Sequence, residues 1–235
     1  MKYYYDFHIH SALSPCSDDD MTPCNIVNMA KIKGLDAIAV TDHNTIGNVR
    51  SAMLAGEKAG VLVIPGMEIE TSEEVHLLTL FPSLEAAADA EKIIKNSLPG
   101  IKNNEKIFGN QLLFDENDNI IGSESQMLIT ATRLGIYEAC RLVKEYGGAV
   151  IPAHVDRHSY SVITNLGFLP EDLPVSTVEI SSSMTEIDEF IRNKKLEKYN
   201  VIRNSDAHNL WSISERINFI EVFNNSALNL LQNFI

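Results

Sequence analysis

Residues 3–10 read YYYDFHIH, an aromatic and apolar run that ends in two histidines. This composition predicts a β-strand from Tyr3 to Ile9. Successive side chains of a strand point to opposite faces, so His8 and His10 lie on the same face. Because histidine is a common ligand of catalytic divalent metals, the pair is a candidate metal site at the end of the first strand.

The chain beyond this strand alternates helix and strand patterns. Thr22 and Pro23 are typical of a helix start, and Gly34 is typical of a helix end. Strand–helix–strand spacing predicts parallel βαβ units, in which ligands bind at the carboxyl ends of the strands. The further predicted strands are Ala37–Val40, Val61–Ile64, Val75–Phe81, Ala149–Pro152, Thr177–Ile180, Val201–Arg203 and Phe219–Val222. The further predicted helices begin at Thr45, ending near Gly60, and cover Leu84–Ile94, Ile136–Tyr146, Thr185–Tyr199 and Ala227–Phe234.

Most of the remaining histidines follow these predicted strands and stand beside acids. We interpret Pro65 and Gly66 as a turn that aims Glu68 at a strand end. Asp206 and His208 are two residues apart in a predicted strand extension, which would direct both to one centre; a turn that caps a helix is the alternative for Asp206. Of the seven histidines, only His158 lies outside the motifs. The motifs are TDH at 41–43, PGME at 65–68, EVH at 74–76, PAH at 152–154 and NSDAH at 204–208.

Residues 96–125 break the alternation with Gly, Asn, Lys and Asp, and within them Gln111 to Ile121 predict a hairpin around Asn117–Asn119. This segment is too short to bury its own core, so we interpret it as an insertion in a single domain spanning 1–235. A lid over a substrate and a plain surface excursion are equally consistent with its sequence.

Composition limits the classes of function. The formal charge of −13 opposes general nucleic-acid binding, which needs Lys and Arg to replace counterions. Three cysteines without a CxxC pair argue against a disulfide framework and against a thiolate zinc site. The sequence shows no membrane-length apolar run and no signal-peptide pattern, and we therefore expect a cytoplasmic protein without membrane contact.

The motifs together resemble the polymerase and histidinol phosphatase (PHP) family of phosphoesterases. DFHIHS, AVTDHNT, PGMEIET, EEVHLL, PAHVDR and NSDAH occur in the order of that family, and only residues 96–125 match poorly. The resemblance implies an α/β fold, a distorted (β/α)7 barrel similar to a TIM barrel. It also implies three divalent metal ions, for which histidine and carboxylate ligands accept manganese, iron or zinc.

The resemblance implies a role for each motif residue. His8, His10, Glu68 and Asp206 would hold one metal, and Glu68 would bridge to a second. The second metal would also be held by His76 and His154. The third would be held by Asp18, His43 and His208; Asp20 is the alternative loop ligand, and Asp42 would support the site without binding metal.

The activity implied is hydrolysis of a small phosphomonoester, such as a nucleotide or an amino-alcohol phosphate, by a metal-activated hydroxide. His8, His10, Glu68, Asp206 and His208 would carry the catalysis. Arg157 and His158, which follow the PAH motif, are the first candidates for holding the phosphate, ahead of Arg133 and Arg203; a surface salt bridge is the alternative for each. Free phosphate or sulfate would fit the same site.

Three other functions remain open on the sequence alone. A nuclease of the same family needs a basic track beside the metals, and the chain has only 19 Lys and Arg, so we expect nucleic acid not to be the substrate. A non-catalytic metal-binding or regulatory module would need no turnover. An amidohydrolase also opens with HxH, but its usual bridging carboxylated lysine has no counterpart here, and Glu68 suits the bridging role better.

Overall fold

The computed structural model describes residues 1–221 and 230–234, which fold into ten strands and seven α-helices. The strands are β1 Lys2–Ile9, β2 Ala37–Val40, β3 Leu62–Glu70, β4 His76–Leu80, β5 Leu112–Phe114, β6 Ile120–Ser123, β7 Ala149–Pro152, β8 Thr177–Ser181, β9 Asn200–Asn204 and β10 Phe219–Glu221. The helices are α1 Pro23–Ile32, α2 Val49–Ala59, α3 Leu84–Ser97, α4 Glu105–Phe108, α5 Ile136–Glu145, α6 Val162–Leu166 and α7 Ile187–Lys194. Val222 and residues 227–229 of the predicted helix Ala227–Phe234 lie outside the described residues.

Six strands form one curled sheet in the order β10-β1-β2-β3-β4-β7, and β8 and β9 form a separate parallel pair. Strands β1, β2 and β3 are parallel, as predicted. The prediction of parallel pairing was wrong for β4, which is antiparallel to both β3 and β7. Only residues 71–75 connect β3 to β4, and so short a link can join antiparallel strands but cannot make the crossover that parallel strands require.

The β8–β9 pair spans the gap between β7 and the carboxyl end of β1. On one side, the Val155 amide that follows β7 donates to the carbonyl of Glu179 in β8 at 2.9 Å. On the other side, the His10 amide donates to the carbonyl of Ala207, after β9, at 2.9 Å. These links confirm the predicted α/β fold, a distorted (β/α)7 barrel.

A bulge near the carboxyl end of β1 changes the direction in which its side chains point. Tyr5 and Phe7 stack with ring centroids 4.6 Å apart and pack inside the barrel with β2, β3, β4 and β7. Ile9 packs instead with the helices outside, and the pairing of β1 with β2 shifts register between Asp6 and Ile9. Since Phe7 and Ile9 would share a face in a regular strand, the bulge redirects the end of β1.

Three local predictions are corrected by the structure. Pro65 and Gly66 lie inside β3 and do not form a turn. The second helix begins after Asn48, so Thr45 is not its N-cap; the Thr45 hydroxyl donates to Glu91 at 2.6 Å and accepts the Gly47 amide at 3.2 Å. The helix predicted from Thr185 is the shorter α7, which begins after Glu186.

The insertion at 96–125 contains α4 and the predicted hairpin, formed by β5 and β6. It is attached to the loop that follows β1, where the Leu112 amide donates to the Ala12 carbonyl at 2.8 Å. It is also attached to the start of α2, where the Phe114 amide donates to Asn48 at 3.0 Å. No helix in the described part of the chain is long and apolar enough to cross a membrane.

We predict that Gly66→Ala destabilises the protein. A Cβ atom at residue 66 would lie 2.7 Å from the Thr79 carbonyl oxygen and 2.9 Å from the Thr41 methyl group. Overpacking of this kind costs about 1–3 kcal/mol in the free energy of unfolding, measured by urea denaturation. The control Gly122→Ala, whose Cβ would be 4.0 Å from the nearest atom, should change it by less than about 0.5 kcal/mol. Equal stability of both variants would contradict the packing argument.

Candidate metal centre

Glu68, near the end of β3, is the centre of the polar cluster. Its side chain is 1% exposed, and five histidines from β1, β4 and the loops after β2 and β7 surround its carboxylate. All five histidines were assigned as metal ligands from the sequence. The nitrogen-to-oxygen distances are 3.2 Å for His8, 3.4 Å for His10, 3.1 Å for His43, 2.9 Å for His76 and 3.2 Å for His154.

Asp206 closes the cluster from the end of β9. Its Oδ1 atom lies 3.3 Å from His8 Nε2 and 3.1 Å from His10 Nε2. His208 stacks on His10 with ring centroids 4.4 Å apart. The loop after β9, which carries Asp206 and His208, is held in place by Asp6. The Asp6 carboxylate accepts the Ser205 amide at 3.0 Å and the Ser214 amide at 2.8 Å.

Three overlapping groups of residues could each hold a metal ion, because the ligand atoms within each group lie within 4.8 Å of one another. All three consist of residues assigned to metals from the sequence. They overlap at His10, His43 and Glu68, and of these only Glu68 has two ligand oxygens with which to bridge two metals. The groups are His8–His10–Glu68, His43–Glu68–His76 and His10–His43–His208.

Unpaired buried atoms show that these residues fit metal ions. The Nε2 atoms of His8 and His10, Nδ1 of His43, both ring nitrogens of His76 and Oδ1 of Asp206 are buried without a hydrogen-bond partner. A buried polar atom without a partner costs about 1–3 kcal/mol. A cation among them would satisfy several at once, and nitrogen and carboxylate oxygen are the donors that catalytic zinc, manganese and iron accept.

The electrostatics of the metal-free protein follow the same arrangement. Burial alone would raise the pKa of Glu68, but the charges of His76 and His8 hold that pKa well below its usual value. Burial would lower the pKa of His10, but Asp206 and Glu68 raise it to about 9. Burial, reinforced by His10, lowers the pKa of His208 to about 4. Protons on some histidines thus balance the buried acids where divalent cations would otherwise do so.

The structure does not bring every predicted residue into the cluster. Asp18 and Asp20 are exposed, and neither belongs to the three ligand groups. Only the backbone of Asp18 approaches, since its amide donates to the His208 carbonyl at 2.9 Å. The assignment of Asp18 or Asp20 as the loop ligand therefore stays a prediction.

A cavity of about 250 Å³ opens on the cluster, and Glu68 and Asp206 lie in its wall. Arg157 also lines it and pairs with Asp206 through Nη1, with 42% of the arginine side chain exposed. His158 is exposed and is not among the described residues that line the cavity. None of the described residues that line the cavity comes from 96–125.

The two other candidate arginines are placed away from the cavity. Arg203 donates through Nη2 to the backbone carbonyls of Ser181, Ser182 and Met184, with distances of 3.4 Å to the first and 3.1 Å to the last. Arg133 is exposed on a loop and does not line the cavity. Arg157 is therefore the one predicted cation that the described structure places at the cluster.

Asp42 supports the cluster from behind, without being part of the three ligand groups. Its buried carboxylate accepts the Ser11 amide at 2.7 Å and the Ser14 hydroxyl at 2.7 Å. The Ser14 hydroxyl lies in turn 3.0 Å from Nδ1 of His10. This chain of contacts orients the His10 ring so that Nε2 faces Glu68 and Asp206, as the sequence-based role of Asp42 requires.

Glu179 in β8 has a comparable place that we did not predict from the sequence. Its buried carboxylate lies 3.0 Å from Nδ1 of His8, accepts the His154 amide at 2.8 Å and accepts Asn204 Nδ2 at 2.7 Å. A proton on His8 Nδ1 that donates to Glu179 leaves the Nε2 lone pair free for a metal. The signal in the sequence is a lone acid between Val178 and Ile180 in an otherwise buried apolar strand.

Two of the candidate ligands have left-handed backbone conformations, with φ of 31° at His154 and 51° at Asp206. This conformation is uncommon for residues other than glycine and costs on the order of 1–3 kcal/mol. At His154 it allows the amide to reach Glu179 while the ring nitrogen Nε2 reaches Glu68. The surrounding hydrogen bonds stabilise both residues in the orientation that the cluster needs.

Comparison with protein families gives one match. The family model described as the PHP domain matches residues 6–160, which include seven of the nine residues assigned as ligands and exclude Asp206 and His208. The 5′-3′ exoribonuclease of Haemophilus influenzae is 30% identical over 99 residues, covering 39% of this chain and 35% of that protein. The chain thus spans about a third of the length of this curated relative.

Solved structures share the fold at low sequence identity. Endonuclease Q in complex with a 27-mer duplex substrate bearing an abasic lesion has a TM-score of 0.71 and 21% identity; the match covers 99% of this chain and 56% of that one. An amidohydrolase of Chromobacterium violaceum with bound sulfate and no metal has a TM-score of 0.62 and 19% identity, with coverage of 93% and 91%. In both comparisons the shared fold covers nearly the whole chain.

We predict that Glu179→Gln weakens metal binding by about 10- to 100-fold, the usual effect of losing an acid that orients a metal-binding histidine. The amide keeps the volume of the side chain but removes the charge that fixes the proton on His8 Nδ1. Calorimetric titration of the metal-free protein with Mn²⁺ measures the affinity. The exposed control Glu171→Gln should bind as the unaltered protein does, and wild-type affinity in Glu179→Gln would show that its carboxylate has no such role.

Proposed function

The chain belongs to the PHP domain family, and on this premise we propose that it is a metal-dependent hydrolase of phosphoric ester bonds. Its proposed substrate is a small phosphomonoester, such as a nucleotide or an amino-alcohol phosphate. The observation that carries the proposal is Glu68, a buried carboxylate within 3.4 Å of nitrogens from five histidines. An ordinary structural acid needs one or two partners, whereas this arrangement is typical of a bridging ligand in a centre with several metals.

Three divalent ions, of manganese, iron or zinc, would be held by the residues of the cluster. The proposed sets are His8, His10, Glu68 and Asp206 for the first; Glu68, His76 and His154 for the second; and His43, His208 and a loop acid, Asp18 or Asp20, for the third. When bound, such ions lower the pKa of water to near neutrality and neutralise charge on phosphoryl oxygens.

The protein's own groups would position the substrate. Arg157 lies at the cavity wall beside Asp206, where its guanidinium can donate two parallel hydrogen bonds to a phosphoryl group. Asp42 and Glu179 hold the rings of His10 and His8 in fixed orientations, so that little reorganisation is needed during the reaction.

A nuclease is the second candidate, and the similarity to the endonuclease with bound duplex favours it. The exoribonuclease match points the same way. The expectation from net charge that nucleic acid is not a substrate therefore loses its force. Net charge describes the whole surface, whereas cleavage of a strand depends on the local field at the site, which bound cations would make more positive.

We predict that the metal-loaded protein hydrolyses p-nitrophenyl phosphate and that Glu68→Gln reduces kcat/KM by at least about 100-fold, because the neutral amide cannot bridge two cations. Release of p-nitrophenol is measured with manganese, iron and zinc in turn. Glu171→Gln serves as the matched control. Metal analysis of both proteins distinguishes a lost metal from a lost reaction, and absence of turnover with all three metals in fully loaded protein would favour a non-catalytic metal-binding module.

We predict that mononucleotides are hydrolysed more efficiently than oligonucleotides. The cavity of about 250 Å³ has Arg157 as the only arginine or lysine among its described lining residues, which leaves a longer polyanion with little compensation. The measurement compares kcat/KM for adenosine 5′-monophosphate with that for a 5′-phosphorylated oligonucleotide at two salt concentrations. A higher value for the oligonucleotide that falls steeply with salt would establish the nuclease instead.

A further inference from the structure

The cavity has two chemically different parts. Its base consists of Glu68 and the histidines around it, whereas Ile129 and Tyr160 also line it and carry no charge. A metal-held phosphoryl group accounts for the base. It does not account for an isoleucine and an aromatic ring in the same wall.

Tyr160 is held rigidly beside the base. Its ring stacks on His76, with centroids 4.7 Å apart and planes at 20°. Its carbonyl accepts the His76 amide at 2.9 Å, and its φ of 55° places it in the left-handed region. Nevertheless the residue is 46% exposed. One face of the ring is therefore covered by a candidate metal ligand, and a large part of the remaining surface is accessible to a ligand in the cavity.

Ile129 is held by its neighbours on the chain. The side-chain amide of the buried Asn44 donates to the carbonyls of Leu128 at 2.8 Å and Thr130 at 3.1 Å. Leu128 is fully buried, and its amide donates to Gln111 at 2.9 Å. These contacts fix the backbone on both sides of Ile129, so the position of this apolar wall does not depend on a bound substrate.

We propose that Tyr160 and Ile129 form a leaving-group subsite that selects a nucleoside, making nucleoside phosphates the substrate class of this site. An accessible aromatic face stacks on any nucleobase, and an aliphatic wall excludes water from the ring edge. A compact polar leaving group, such as glycerol, would gain nothing from either residue. The inference rests on the proposed function, since it describes what is attached to the phosphate that the metals would hold.

The test compares adenosine 5′-monophosphate with glycerol 1-phosphate in the manganese-loaded protein. Tyr160→Ala should lower the ratio of their kcat/KM values by about tenfold or more, the effect typical of losing one base–aromatic stack. The loss should appear mainly in KM, because stacking acts equally on bound substrate and transition state. Tyr160→Phe keeps the ring and should retain the ratio, and Ile129→Ala should lower it as well.

Two controls separate this role from an indirect effect through His76. Tyr137→Ala removes another exposed tyrosine, on α5 away from the cavity, and should leave the ratio unchanged. Metal content is measured in each variant. An unchanged ratio in Tyr160→Ala, whether kcat/KM falls equally for both substrates or for neither, would overturn the subsite.

A binding measurement distinguishes failure of the subsite from failure of the proposed function. Calorimetric titration with adenosine alone, without a phosphate to hydrolyse, should show binding to the unaltered metal-loaded protein that Tyr160→Ala weakens about tenfold. If neither phosphate ester is turned over but this difference is found, the subsite stands and the hydrolase does not. If turnover is found but the two proteins bind adenosine equally, the hydrolase stands and the subsite does not.

Discussion

The buried carboxylate of Glu68 is the constraint on which the rest of the site depends. A charged group taken out of water must be compensated by neighbouring groups, or its pKa shifts until it becomes neutral. Here the compensation comes from five histidines on four separate segments, and the pKa of Glu68 stays low in spite of burial. The strand ends must meet at one point for this to happen, so the closure of the barrel and the stability of the site are the same requirement.

A second layer of buried acids extends this logic outward. Asp6, Asp42 and Glu179 lie behind the ligands, and each has its hydrogen-bonding capacity used by backbone amides, hydroxyls or a histidine ring. Since they belong to three different strands or strand ends, they join the loops into one network. Several acids of the chain therefore have a local structural purpose that the net charge does not reveal.

Sequence alone predicted which side chains gather around Glu68 better than it predicted the direction of the strands that hold them. The motif histidines are recognisable because each follows an apolar run, and a strand end is a local property. The direction of β4, by contrast, depends on its connection to β3. Too few residues lie between residues 70 and 76 for a crossover helix, so β4 is antiparallel to β3, although the alternation of strands and helices in the neighbouring sequence predicted parallel pairing. Glu179 was missed because its purpose depends on His8, which lies 171 residues away in the chain. Asn204 belongs to the NSDAH motif, but its hydrogen bonds to Phe7 and Glu179 could not be predicted from the sequence.

The bridge between Ile9 and Ala207 also bears on how the protein acquires its site. His8 and Glu68 are closer to each other in sequence than either is to Asp206, so these two can meet early in folding, whereas Asp206 joins them only once β9 has formed. Contacts this distant in sequence are slow to form. A partly folded chain would therefore present histidines and an incompletely compensated acid to the surrounding solution. Capture of a first metal ion by that intermediate would act as a folding event, drawing the last strands onto a centre that is already charged.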